Sequence, residues 1–274
     1  MKRIIFLALA VILCLPTAVY AASIGGAETQ GKDKFSISLD QEFIFDKDIK
    51  DISEDWTEGT LVVTGKDTPE VDSMNRTMVK ASYGMLDNVD VYVKLGTADA
   101  DFKMKGSGTW VDGVDTGTWN GTVKMEGDNA FAYGFGAKGT YNLNDDWIIG
   151  CEAQYLRHKN DVEGTTTLNV YDNAGILIGS ETSDPWKGEI TIQEWQIAPY
   201  VAKRLGSFIP YLGVKYSDES GKYKDEDSEE KFEADDNFGM FLGTDYKMGE
   251  NWKVNLEGRF IDETAMSFGA TYKF

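Results

Sequence analysis

Ten stretches of this chain place apolar side chains at every second position, and the connections between them are alternately long and short. Such alternation belongs to extended strands, whose successive side chains point to opposite faces. The last stretch, Thr264 to Phe274, is clear: Met266, Phe268, Ala270, Tyr272 and Phe274 share one face, while Ser267, Gly269, Thr271 and Lys273 share the other. A strand that is apolar on one side and polar on the other is the unit of a closed transmembrane β-barrel, in which each crossing takes about 9–11 residues.

The ten stretches cover residues 35–45, 77–85, 89–96, 130–141, 147–157, 189–204, 208–216, 237–246, 252–260 and 264–274. Long connections follow the first, third, fifth and seventh; short turns follow the second, fourth, sixth and eighth, and the ninth is also brief. Short periplasmic turns, longer extracellular loops and an even strand number are what a spanning barrel requires. The fold class is therefore all-β: a closed antiparallel up-and-down barrel of ten strands, or eight if the first two stretches lie elsewhere. Both termini then lie in the periplasm. Tyr83, Tyr141, Trp147, Phe208, Tyr216, Tyr246, Trp252 and Tyr272 fall near strand ends, where interfacial girdles belong. A soluble sandwich or lipocalin-like barrel also alternates, but with its apolar face inward.

The long connections read as loops, with some local signals. Residues 60–64 are briefly extended, and the glycine-rich 97–129 segment carries Gly-Thr-Trp twice, which points to a hairpin. Asp172-Asn173-Ala174-Gly175 is a turn signal between two apolar runs. Pro199 cannot donate a ladder hydrogen bond and predicts a bulge or local irregularity in its strand.

Residues 1–21 have the form of a secretory signal peptide: Lys2 and Arg3, an apolar run from Ile4 to Leu15, then Val19 and Ala21 before the cleavage point. Cys14 lies inside the apolar run, so no lipidation site is read. Residues 22–33 are small and polar and read as a short, mobile periplasmic arm; residues 34–274 form a single barrel domain. Loss of Lys2 and Arg3 with the leader takes the net charge from −19 to −21, so nucleic acid is an unsuitable partner. Only Cys151 remains after cleavage, which excludes an intrachain disulfide, and it reads as a small lipid-facing filler.

This whole pattern resembles the small outer-membrane β-barrel proteins of Gram-negative-type bacteria, the OmpA- and OmpW-like barrels. The resemblance implies residence in the outer membrane, after export by a cleaved signal peptide, with outer-membrane lipid as neighbour. It further implies that the terminal Ala270-Thr271-Tyr272-Lys273-Phe274 run is the address read by the barrel-assembly machinery, with Tyr272 and Phe274 as its aromatic elements.

With apolar faces toward lipid, the opposite faces line the lumen. They bring in Asp40, Glu42, Asp90, Glu152, Glu194, Asp245 and Glu257 against Lys80, Lys94, Lys138, Lys215, Lys253, Arg259 and Lys273. Buried charges must be paired, so a balanced lumen predicts an ion-pair network that plugs the barrel. Gly134, Gly136, Gly213, Gly239 and Gly243 lie on the same faces and leave room for a narrow water-filled path. The expected role is structural or surface-interacting, with at most narrow passage of small solutes; a small porin is the alternative.

No enzymatic activity and no cofactor are expected. Asp99 and Asp101 resemble the paired aspartates of omptin proteases, but the single histidine, His158, stands beside Asp161 rather than in an Asp-x-His arrangement. No serine flanks it to make a lipid A deacylase pair. Residues 218–236 carry ten acidic against three basic side chains, which reads as a solvated loop or a surface facing an extracellular ligand. Carboxylates there suit a divalent cation, yet no D-x-D-x-D-G pattern occurs. Deletion of Phe274 should lower the yield of folded barrel in isolated outer membranes, scored as the fraction showing heat-modifiable gel mobility. Normal assembly would reduce Phe274 to a packing residue.

Overall fold

The computed structural model describes residues 23–225, 229–233 and 237–274, so the leader read at residues 1–21 lies outside the described residues. Fourteen strands form one sheet: β1 (Phe35–Asp48), β2 (Ile52–Glu58), β3 (Leu61–Leu86), β4 (Val89–Asp112), β5 (Asp115–Gly127), β6 (Ala130–Asn142) and β7 (Trp147–Asp172) come first. They are followed by β8 (Leu177–Thr182), β9 (Trp186–Lys203), β10 (Phe208–Lys224), β11 (Glu229–Glu233), β12 (Phe238–Met248), β13 (Trp252–Phe260) and β14 (Thr264–Lys273). Among the described residues there is no helix.

Ten of these strands close a ring. Each pairs antiparallel with its neighbours, and β1 pairs with β14 from Ser36–Lys273 to Asp46–Thr264, so the sheet has no free edge at membrane depth. The seam is finished by Phe274, whose N–H donates to the Phe35 carbonyl at 3.0 Å while the two rings stand 5.6 Å apart. β5 and β6 run end to end, because β4 and β7 each pair with β5 in one half and with β6 in the other. β2, β8 and β11 lie off the ring as hairpin partners of β3, β7 and β10.

All ten alternating stretches are strands, but several run much further than their lipid-facing portions. β7 shows why. Its outward residues Trp147, Ile149, Cys151, Ala153 and Tyr155 are apolar, and those beyond them are Arg157, Lys159, Asp161, Glu163, Thr165 and Thr167. On the inward face the order is reversed: Glu152, Gln154, His158 and Asn160 are followed by Val162, Leu168 and Val170. One unbroken strand therefore passes from lipid into water, and its two faces exchange polarity at the boundary. Nine residues from Trp147 to Tyr155 rise about 30 Å along the strand. Tilted as barrel strands are, they cover an apolar band about 25 Å tall.

Beyond the band, the wall closes on a hydrophobic core. Val63, Met104, Trp110, Trp119, Leu168 and Ile190 are among the buried residues there. The segments read as loops at 46–75, 97–129, 158–188 and 217–236 are thus largely strand, built on a soluble-type apolar interior. The Gly-Thr-Trp repeats serve this core. The Trp119 indole donates to the Thr64 carbonyl at 3.3 Å and lies where a Cβ on Gly65 would clash with its ring. The Asp172 turn is present, with Asp172 Oδ1 accepting from the N–H groups of Ala174 and Ile176 at 2.9 and 2.8 Å. At Pro199 there is no bulge. The register is kept, and the ladder to β10 skips from Tyr200–Gly213 to Ile197–Tyr216.

Asp67 is an exception inside the extracellular core. It is 1% exposed, and neither carboxylate oxygen has a hydrogen-bond partner among the described residues. Burial lifts its carboxyl from 3.8 to about 6. The folded form thus holds the proton more tightly than the unfolded chain, and the resulting stability is present at low pH and lost as pH rises through about 6. Asp67→Asn removes the charge and should raise the guanidinium unfolding midpoint at pH 8. At pH 4 the variant and the parent should unfold together, with Trp fluorescence as the readout.

Candidate functional site: a charged and occupied lumen

The lumen-facing side chains come from strands whose outer residues are committed to lipid, so alternation alone brings them together. Of the fourteen charged positions assigned to the lumen, Asp40, Glu42, Lys80, Asp90, Lys94, Lys138, Glu152, Glu194, Lys215, Asp245, Lys253, Glu257 and Arg259 are buried. Lys273 is half-buried at the periplasmic mouth.

At mid-barrel the charges form a continuous chain across the lumen. Arg76 Nη1 stands 3.4 Å from Glu194 and 3.7 Å from Glu42. Arg259 Nη2 is 3.6 Å from Glu42, and its Nε is 2.8 Å from Glu263. Lys215 then bridges Glu263 and Asp262 at 2.5 and 2.8 Å. Lys47 and Glu219 pair at 3.0 Å on the extracellular side of this chain. The chain crosses from β9 through β3 and β1 to β13 and β10, so it ties opposite walls together.

Arg76, Lys47, Glu219, Asp262 and Glu263 are members that reading the sequence did not assign. Arg76 has the same strand parity as Lys80, and Glu219 that of the inward residues on β10, whereas Lys47 has the opposite parity to Asp40 and Glu42 and is turned inward by the register shift between Ile44 and Asp46. They were missed because those strands were ended near the lipid boundary. Asp262 and Glu263 lie in the brief connection between β13 and β14, for which periodicity carries no signal.

The N-terminal arm departs most from expectation. Residues 23–33 do not hang free in the periplasm; their first half is folded into the barrel, with Ser23, Ile24 and Ala27 at most 3% exposed. The arm is held through its backbone. The N–H groups of Ser23, Ala27 and Gln30 donate to Glu42, Asp245 and Asp90 at 2.9, 2.9 and 2.9 Å. Lys94 donates to the Ser23 carbonyl at 3.1 Å, and Lys138 donates to the Ile24 and Gly26 carbonyls. Small residues permit this, since a Cβ at Gly26 would strike Lys253 and Asp245. At the mouth, Glu28 pairs with Arg204 at 2.9 Å and Lys247 at 2.7 Å. Burial opposes its ionisation, but those two cations outweigh it and hold the carboxyl below its usual range.

The interior glycines leave less room than their size implies. Rings fill the space beside them: Tyr92 faces Gly136, Phe241 faces Gly213, and Tyr211 faces Gly243. Tyrosine hydroxyls join the network, with Tyr211 donating to Glu257 at 2.9 Å and Tyr200 to the Ala27 carbonyl at 3.1 Å. The omptin-like residues do not converge. Ala98, Ala100 and Phe102 point inward, so Asp99 and Asp101 lie on the outer face, where Asp99 accepts from Asn75 and Asp101 from Ser73. His158 lies inside, 1% exposed, with Nδ1 2.6 Å from Asn160 Oδ1. The barrel wall separates the aspartates from the histidine. Cys151 is free, exposed and on the lipid-facing side.

A ring closed at membrane depth, an apolar outer belt and a polar, ion-paired lumen define a transmembrane β-barrel of the outer-membrane class. The chain belongs to the outer membrane protein beta-barrel domain family, whose model matches residues 113–274. It is similar to a major outer membrane porin of Chlamydia pneumoniae, 28% identical over 120 residues that cover 36% of this chain and 29% of the relative. The match thus spans less than a third of that porin's length. Among solved structures it is similar to the outer membrane protease OmpT of Escherichia coli, with a TM-score of 0.50, 12% identity, and coverage of 87% of this chain and 97% of that one. It also matches OprG of Pseudomonas aeruginosa at a TM-score of 0.32 and 12% identity, covering 90% of this chain and 99% of that one. The family model and the porin relative carry the outer-membrane location, the likeness to OmpT carries the fold alone, and none of them carries an activity.

Removing one partner from a buried network leaves an uncompensated charge, at a cost of about 3–5 kcal/mol. Lys215→Met should therefore lower the unfolding free energy, measured by urea titration in lipid vesicles, by that order. Replacing Lys215 and Asp262 together with apolar residues of similar size, which leaves Glu263 paired with Arg259, should recover most of the loss.

Proposed function

We propose that this protein is a closed outer-membrane barrel with a structural and surface-interacting role, whose lumen does not conduct bulk solute in the conformation described. The observation that carries this reading is the arm. Residues 23–30 occupy the periplasmic half of the lumen and satisfy Lys94, Lys138, Asp90 and Asp245 with their own backbone. The ion-pair chain fills the middle and the apolar core fills the extracellular end, so three stoppers of different chemistry lie in series. The β extensions beyond the lipid offer a rigid platform, and the acidic connection within 218–236 supplies charge for contact with an extracellular ligand. Outer-membrane lipid surrounds the belt, and the assembly machinery meets Tyr272 and Phe274 during insertion.

A small-solute channel is the second reading, favoured by the similarity to a major outer membrane porin. Planar-bilayer recording separates the two. The intact protein should give no large, stable conductance, and deletion of residues 23–30 alone should leave conductance low, because the extracellular core still closes the barrel. Large steps from the intact protein would replace the closed-barrel reading with the channel.

A further inference from the structure

At membrane depth the sheet is closed, but beyond the lipid it is not. At the height of residues 61–67 the wall consists of β2, β3, β4, β5, β7 and β8 side by side. No further ladder joins β8 back to β2 among the described residues. The outer wall is therefore an open sheet with free edges at β2, at β8 and, nearer the lipid, at β11. A free edge presents unpaired N–H and C=O groups and is a template for another strand unless something blunts it.

The three edges are not equivalent. β11 is five residues long, and the β8 ladder carries a register shift between Val170 and Tyr171. β2 has neither device: its seven residues run in unbroken register from Ile52–Asp67 to Glu58–Leu61. The two-residue turn at Gly59 and Thr60 sets the parity of that ladder. Glu58 and Leu61 close the turn as a hydrogen-bonded pair, and every second pair below them is bonded too. The backbone groups of Ser53, Asp55 and Thr57 therefore point to the free edge, and these three residues are exposed.

Two further observations say what such an edge would take. Trp56 packs against the extracellular core, as Ile178 of β8 does. The Trp56 indole N–H is enclosed and meets no acceptor among the described residues, although a buried indole N–H usually finds one. The strand is also acidic: it carries Glu54, Asp55 and Glu58 and no cation. Across the ladder Asp55 and Glu58 meet Thr64 and Leu61, so neither has a lysine or arginine opposite it. A second copy of β2 brings like charges to the same edge and is disfavoured, whereas a basic strand brings the opposite charge.

We propose, building on the surface-interacting role, that β2 is the docking edge for an extended basic segment of an extracellular protein, which adds as one more strand. Its main chain pairs with Ser53, Asp55 and Thr57, its outward cations face Asp55, and its inward apolar residues cover Trp56. Main-chain hydrogen bonds supply the affinity, and the alternating side chains supply the selectivity.

Fluorescence anisotropy of a labelled probe, with the full-length protein folded in detergent, tests this. The probe is a capped peptide of β2's own length that alternates lysine and valine. Its control is the same peptide N-methylated at every amide, which keeps the charge and loses every donor. The parent should bind the probe at least tenfold more tightly than the control. Thr57→Pro removes a free-edge N–H without removing a bond of the β3 ladder, and should weaken probe binding at least tenfold. Asp55→Asn/Glu58→Gln should also weaken it, with a shallower dependence on salt. Heat-modifiable mobility checks that each variant folds; should Thr57→Pro fail to fold, the methylated control on the parent decides. Equal binding of probe and control, equal binding by Thr57→Pro and parent, or no binding of the probe would overturn the proposal. A parent that dimerises without peptide, and whose dimer is lost in Thr57→Pro, would assign the edge to a second copy instead. A barrel that binds no probe yet stays closed in planar bilayers loses this proposal and keeps the closed-barrel reading.

Discussion

In a hydrocarbon layer no water is present to satisfy a free N–H or C=O, so a spanning sheet has to close on itself. The pairing of β1 with β14 meets that demand here, and the other features follow from it. Once the ring is shut, its outside must be apolar over the height of the lipid, and every polar strand residue is driven inside. The lumen is then too narrow for bare charges to stay hydrated, and they pair with one another across it. The Glu194–Arg76–Glu42–Arg259–Glu263–Lys215 chain is the outcome, linking strands that are distant in sequence and opposite in space.

The same strands obey the opposite rule a few residues further on. Where lipid ends, the outer face meets water and the inner face can be apolar, so the wall continues as a soluble-type β structure around Trp110 and Trp119. A single strand such as β7 carries both patterns in one reading frame, with no break at the boundary. The protein is in effect two β architectures stacked on shared strands, with an inside-out core below and an ordinary core above.

Much of the lower barrel was legible from residue order. The ten lipid-facing strands, their short turns and the inward charges of Asp40, Glu152, Asp245 and Lys253 all follow from parity, which needs no knowledge of neighbours. The extracellular strands were read as loops for a physical reason: the alternation continues there with its sense reversed and with Gly, Thr and Ser in place of bulky residues. A search for apolar-outward alternation stops at that point. Arg76, Lys47 and Glu219 were lost with the ends of those strands. The arm could not have been found by pattern, because its attachment uses backbone groups that every residue carries.

Local alternation determined which side chains share a face, since side-chain direction in a strand depends only on position. The strand lengths, the alternating connection lengths and the aromatic strand ends added that the chain is a barrel with its apolar face toward lipid and its charges inward. Tertiary structure alone decided what those inward charges do. Whether Lys138 faces water, a carboxylate or the carbonyls of Ile24 and Gly26 depends on which segments share the lumen, and residues 24 and 138 meet there only because the ring has closed around them.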